Sequence, residues 1–142
     1  MGRKILRKGI FLFYALMLVL LPTGCKKDEE TPAGKLNDLD FTVVEEADLP
    51  EELLKIINEK KENPFKLSYT SEDSLYIARG YGAQRSGGYS ITVKELYLSE
   101  QGIYFETELI GPSQEDLVSQ AITHPYIVVK LEKSEQPVIY SE

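Results

Sequence analysis

An α+β fold, mainly antiparallel β-sheet with one amphipathic helix packed on it, is predicted by three observations. Residues 48–61 repeat their apolar side chains at helical spacing. The apolar runs that follow Pro64 alternate with period two instead. Turn residues separate those runs, Gln101-Gly102 most clearly, at the distance expected of hairpins.

The first 24 residues read as a leader and not as part of the fold. Arg3, Lys4, Arg7 and Lys8 precede an uncharged run, Ile10 to Leu21, and Pro22-Thr23-Gly24-Cys25 closes the segment. A basic start, a short apolar run and small residues before a cut site describe a secretory signal. Twelve helical residues cover about 18 Å, against roughly 30 Å of hydrocarbon in a membrane, so the run is too short to stay as a spanning helix. Cys25, the single cysteine of the chain, stands where the run ends. This arrangement resembles the lipobox of bacterial lipoproteins, with Thr23 and Gly24 in fitting places and Pro22 where an aliphatic residue is usual. The resemblance implies a signal peptide over 1–24 and acylation of Cys25, palmitate included. The protein would then be extracytoplasmic, lipid-anchored to the cell membrane or the outer membrane, and held firmly because more than one acyl chain is attached.

Residues 25–38 carry many charges and almost no large apolar side chain, too little to offset the entropy of ordering, and are expected to be a flexible tether. The run Lys26-Lys27-Asp28-Glu29-Glu30 resembles an acidic surface-export signal and reads equally as a solvated spacer. The folded domain is expected over 39–142. Leu39 to Glu45 suggests a strand with Phe41 and Val43 on one side. In 48–61, Leu49, Leu53, Ile56 and Ile57 form a stripe that Leu54 widens. Asp48 is the expected cap, Pro50 falls in the first turn, Glu51 and Glu52 suit the positive end of the helix, and Asn63-Pro64 stops it. Strands follow at 65–70, with Phe65, Leu67 and Tyr69 together, and at 74–79, with Leu75 and Ile77 together. In 89–98, Tyr89, Ile91 and Val93 share one face while Leu96 and Leu98 take the other parity, which calls for a bulge near Lys94-Glu95. In 103–110, Ile103, Phe105, Thr107 and Leu109 point inward and Glu106 and Glu108 outward. Residues 126–131 make a further strand and 138–140 a short edge. Residues 114–122 have the makings of a helical turn.

Charge and composition exclude more than they assign. The chain holds 16 basic and 23 acidic residues, for a formal net charge of −7 at pH 7, and four of the basic residues are in the leader. The acidic remainder repels phosphate backbones, so no nucleic-acid partner is expected. One cysteine permits no internal disulfide, and burial alone must stabilise the domain. The glycines at 80, 82, 87 and 88 fit no phosphate-binding spacing and read as tight turns. A hydrolase using Ser86 with His124 is an alternative, although the His124-Pro125 pair favours an extended loop. One histidine and scattered carboxylates give no metal-ligand spacing, and no metal or cofactor is expected. Glu106 and Glu108, about 7 Å apart along a strand, are a conceivable glycosidase pair and more simply a solvated face. Nine tyrosines, with Tyr76, Tyr81, Tyr89, Tyr97, Tyr104, Tyr126 and Tyr140 in or beside strands, suit either an interface, a carbohydrate-binding module or cross-strand packing.

Two separated strings carry a more specific signal. Arg85-Ser86-Gly87-Gly88-Tyr89-Ser90-Ile91-Thr92-Val93 is the first, preceded by Leu75-Tyr76-Ile77-Ala78-Arg79-Gly80. The second is Gly111-Pro112 followed by Gln120-Ala121-Ile122-Thr123-His124-Pro125-Tyr126 and the strand to Leu131. In this order they resemble the PrcB C-terminal domain family. The family takes its name from a lipoprotein subunit of a spirochaete surface protease complex, an accessory factor to a subtilisin-like chain, and has no catalytic residues to carry over. The resemblance implies a non-enzymatic, protein-binding accessory subunit that stabilises or modulates an extracytoplasmic protease, such as a secreted subtilisin-like one, or another envelope protein. The expected contact region is formed by the Gly80–Gly88 and Gly111–Pro125 loops: Tyr81, Arg85, Ser86, Gly87, Gly88, Tyr89, Gln120, Thr123, His124, Pro125 and Tyr126.

Overall fold

The alternating runs form strands, and the one helical run forms a helix. The structure, a computed structural model, describes residues 34–141. The chain divides into units 1–31 and 32–142, and the described residues all belong to the second. The expected signal at 1–24, Cys25 and residues 26–33 of the expected tether lie outside the described residues. The elements are β1 (Lys35–Asp38), β2 (Thr42–Val43), a 3-10 turn (Glu46–Asp48), α1 (Glu51–Lys60), β3 (Pro64–Ser71), β4 (Ser74–Tyr81), β5 (Ser90–Ser99), β6 (Gly102–Ile110), β7 (Tyr126–Glu132) and β8 (Val138–Tyr140).

The strands make two four-stranded sheets, ordered β1-β5-β6-β8 and β2-β7-β4-β3. All pairings are antiparallel except β6 with β8, which is parallel. The sheets face each other across a core of Leu75, Ile77, Leu96, Ile103, Phe105, Ile127, Val129 and Leu131. Helix α1 covers the far side of the second sheet, where Leu49, Leu53 and Ile57 meet Phe65, Tyr76, Ala78 and Val128. The result is three layers, with the second sheet in the middle. This is why β4 and β7 have apolar residues at both parities: odd positions face the first sheet and even positions face the helix.

The expected bulge is present. Val93 pairs with Thr107 and Glu95 with Glu106, leaving Lys94 without a cross-strand partner. The extra residue brings Leu96 and Leu98 back to the side of Ile91 and Val93. The hairpin at Gln101-Gly102 also forms.

Four expectations need correction. The tether expected over 25–38 does not reach 38, because Lys35–Asp38 is strand β1, paired with Tyr97–Ser99; a polar edge strand gains its place from backbone bonding and not from burial. The strand expected at 39–45 shrinks to Thr42–Val43, and Phe41 and Val43 are exposed, so Val44 is the residue that packs inward. Asp48 does not cap α1. It ends the 3-10 turn, and Pro50, with extended ψ, takes the cap position with no side-chain bond. Residues 114–122 form no helix, only a turn in which Ser113 N–H donates to the Asp116 carboxylate.

Candidate functional site

The ends of β4, β5, β6 and β7 bring the two motif loops to the same end of the sandwich. They are tied together by backbone. Gln84 and Thr123 exchange both N–H···O bonds, at 2.8 and 3.0 Å. Gly87 N–H donates to the Ser119 carbonyl at 2.8 Å, and Tyr81 N–H to the Pro125 carbonyl at 3.0 Å. The Thr123 hydroxyl donates to the Ser86 carbonyl at 2.7 Å. A third loop joins them, since Ala83 N–H donates to the Glu62 carbonyl just after α1. Four backbone bonds between two loops pin an end that long loops alone would leave mobile.

The glycines of the motif serve this clasp. Gly88 has φ +84°, and a Cβ there would lie 2.5 Å from Val118 Cγ1 and 2.9 Å from Pro112 Cβ. At Gly80 the ring of Phe65, its cross-strand partner, occupies the place where a Cβ would be. Close approach at Gly80 and a tight turn at Gly88 thus account for two of the glycines that the sequence placed here.

The expected contact residues separate into two groups. Tyr81, Ser86, Gly87, Tyr89, Thr123, His124, Pro125 and Tyr126 are half-buried, whereas Arg85, Gly88 and Gln120 are exposed. The Tyr81 hydroxyl shares a 2.6 Å hydrogen bond with Thr107 Oγ1 across the sheets. The Tyr126 hydroxyl donates to Glu46 at 2.8 Å, and burial followed by that bond pushes its pKa well up from the ordinary value. His124 Nε2 lies 2.9 Å from Glu62 Oε1, and the Ser86 hydroxyl donates to the Gly87 carbonyl. The two side chains of the hydrolase alternative are thus each engaged elsewhere, with no nucleophile–base bond between them in the described geometry. Glu106 lies 3.8 Å from Lys94 on the outer face of the first sheet.

The tyrosines are used within the fold. Tyr97 and Tyr104 stack with ring centres 4.8 Å apart, and Tyr69 and Tyr76 tilt at 6.3 Å. None of the described tyrosines is exposed, so the rings that a carbohydrate platform would present serve cross-strand packing instead.

Sequence reasoning did not find the apolar surface of this end. Ile110, Leu117 and Ile122 are 45, 105 and 67% exposed. Only their occurrence around an irregular loop hinted at it. Glu62 was likewise missed as the partner of His124, because nothing local marks a pair so distant in sequence.

The layers and the clasp define an α+β domain whose two motif loops form one pinned end. The resemblance read from the motifs holds: the family model described as PrcB C-terminal matches residues 75–132, from β4 to the end of β7, both loops included. Helix α1 and β3 fall outside that span. No curated protein and no solved structure matches the chain.

Proposed function

We propose that the chain is a non-catalytic accessory subunit of the cell envelope, anchored by lipid at Cys25, whose clasped end binds and stabilises or modulates a protein partner. An extracytoplasmic protease of the subtilisin type is the partner class that the PrcB C-terminal match supports. The observation that carries the reading is three apolar side chains held in water, Ile110 at the end of β6 and Leu117 and Ile122 on the loop that follows it, whose backbone is bonded to the Gly80–Gly88 loop. Exposed apolar groups on a rigid support are a common basis of protein interfaces, since little ordering entropy is lost when they are covered.

The test uses the intact protein as bait in detergent-solubilised envelopes, with Leu117→Asp/Ile122→Asp as the paired control. The expected result is co-purification of a secreted protease or another envelope protein with the wild type and its loss with the variant, whose melting temperature stays unchanged. Equal recovery with both baits would count against the clasped end as the contact. Mass spectrometry of native material tests the anchor, and an unmodified Cys25 thiol would remove it.

A further inference from the structure

Leu117 is the most exposed large apolar side chain among the described residues, at 105%, and it stands between two anchors. Before it, Pro112 packs on Gly88, and Ser113 and Asp116 close a turn: Ser113 N–H donates to the Asp116 carboxylate at 2.7 Å, and Asp116 N–H to the Ser113 carbonyl at 3.2 Å. After it, Val118 is half-buried against Gly88, and the Ser119 carbonyl accepts the Gly87 N–H. One side chain is thus held out in water while the residue that follows it is seated on the neighbouring loop.

The backbone here suits a protease cleft. Residues 116–120 form neither helix nor strand, and every residue of 113–122 has negative φ, as an extended chain requires. An endoprotease reads its substrate as an extended strand, with one side chain in a primary pocket and the bond after it placed at the nucleophile. Leu117 meets that geometry: its side chain is wholly in water, and its Cβ is unbranched. Ile122 does not, being branched at Cβ and followed by Thr123, whose backbone is locked to Gln84.

We propose that the Leu117–Val118 bond is offered to a serine endoprotease as a tightly held, slowly cut substrate, with Leu117 in an apolar primary pocket, so that the domain occupies and restrains the partner's active site. Attack by the partner's serine oxygen on the Leu117 carbonyl carbon forms an ester and frees the Val118 amine, which takes the serine's proton by way of the partner's histidine. Val118 is seated on Gly88 and Ser119 is bonded to Gly87, so the amine stays beside the ester, closes the peptide bond again and returns the proton to the serine oxygen. On an unpinned loop the amine departs and water completes the hydrolysis. The same pinning lowers the ordering cost of binding. Glu115 and Asp116, both exposed, precede Leu117 and select against a cleft that is acidic on that side. The inference rests on the reading that this end meets an extracytoplasmic protease, and it names the manner of the contact.

The probe is subtilisin, assayed on a chromogenic peptide with the intact protein in detergent. The expected result is competitive inhibition that persists while mass spectrometry finds the Leu117–Val118 bond largely intact. Leu117→Gly, a change at a wholly exposed side chain that leaves the melting temperature unaltered, weakens inhibition at least about tenfold, or about 1.4 kcal/mol. Leu117→Arg moves the inhibition to trypsin, whose primary pocket is acidic. Gly88→Ala disturbs the seat of Val118 and speeds cleavage of the bond; the Leu117 variants keep the test decisive should it fold poorly. Absence of inhibition by the wild type, rapid cleavage with loss of inhibition, or inhibition indifferent to both Leu117 substitutions overturns the inference, and so does an unchanged cleavage rate in folded Gly88→Ala. In the envelope capture, a protease whose serine has been blocked by a sulfonyl fluoride is no longer retained. Equal retention of the blocked protease defeats this inference alone, whereas capture indifferent to Leu117→Asp/Ile122→Asp defeats the proposed contact region.

Discussion

Gly88 shows how a single position decides the shape of the clasped end. Its φ of +84° and the closeness of Val118 and Pro112 leave no room for a side chain. Gly88→Ala is expected to cost about 1–3 kcal/mol, from backbone strain and overpacking together, read as a lower urea midpoint with an unchanged slope. His124 makes the contrast. Its partner Glu62 is 68% exposed, and a polar contact whose acceptor is open to water contributes at most about 1 kcal/mol. His124→Ala is therefore expected to stay within about 1 kcal/mol of wild type in the same measurement. The sequence marked both residues through the motif strings, yet only contacts from distant segments separate the one that shapes the loop from the one that rests on it.

Among the elements, the helix and the bulge carry separate tests. Leu53 and Ile57 are fully buried between α1 and the second sheet. Leu53→Ala is expected to lower stability by about 2–5 kcal/mol, the range for a buried leucine leaving a cavity, in denaturant unfolding. Strand β5 tests register. Deleting Lys94, which has no cross-strand partner, leaves Ile91, Val93, Leu96 and Leu98 all facing inward and is expected to preserve the fold. Deleting Thr92 instead turns Ile91 outward, at roughly 1.5–3 kcal/mol for the lost burial. A thermal melt of the two deletions in parallel distinguishes them. The helix stripe, the bulge and the hairpin at 101–102 were legible because each is a local pattern. The 3-10 turn before α1 was not, because Asp48 is as good a cap in sequence as any and only the path of the chain from β2 makes Pro50 the first cap position. Strand β1 was hidden for the opposite reason: an edge strand held by backbone bonds needs no apolar pattern, and Lys35–Asp38 has almost none.

At the scale of the whole domain, the tyrosines link packing to pH. Burial raises the pKa of Tyr126, with help from its bond to Glu46, and burial raises that of Tyr140 against smaller opposing effects from Leu67 and Arg79. In the unfolded chain both phenols lose their protons near pH 10; in the folded chain they hold them to higher pH. Their contribution is thus fully present below about pH 10 and declines as pH rises past it, because the unfolded state then releases protons that the folded state retains. The melting temperature is expected to fall between about pH 10 and 12, and less steeply in Tyr126→Phe/Tyr140→Phe. A fall of the same slope in the double variant would assign the alkaline limb to other groups.

The sequence by itself determined the period of each element, the place of the register shift, the acidic character of the chain and the two strings by which residues 75–132 match the PrcB C-terminal family. These are local properties, set by how neighbouring side chains alternate and by which turns glycine and proline permit. Only the tertiary structure decided that the strands divide into two facing sheets, that α1 packs on the outer side of one of them, and that the two loops close on each other. The same alternation serves one sheet or two, and it is the burial of β4 and β7 on both faces, together with bonds such as Gln84 to Thr123 across the loops, that selects the layered arrangement.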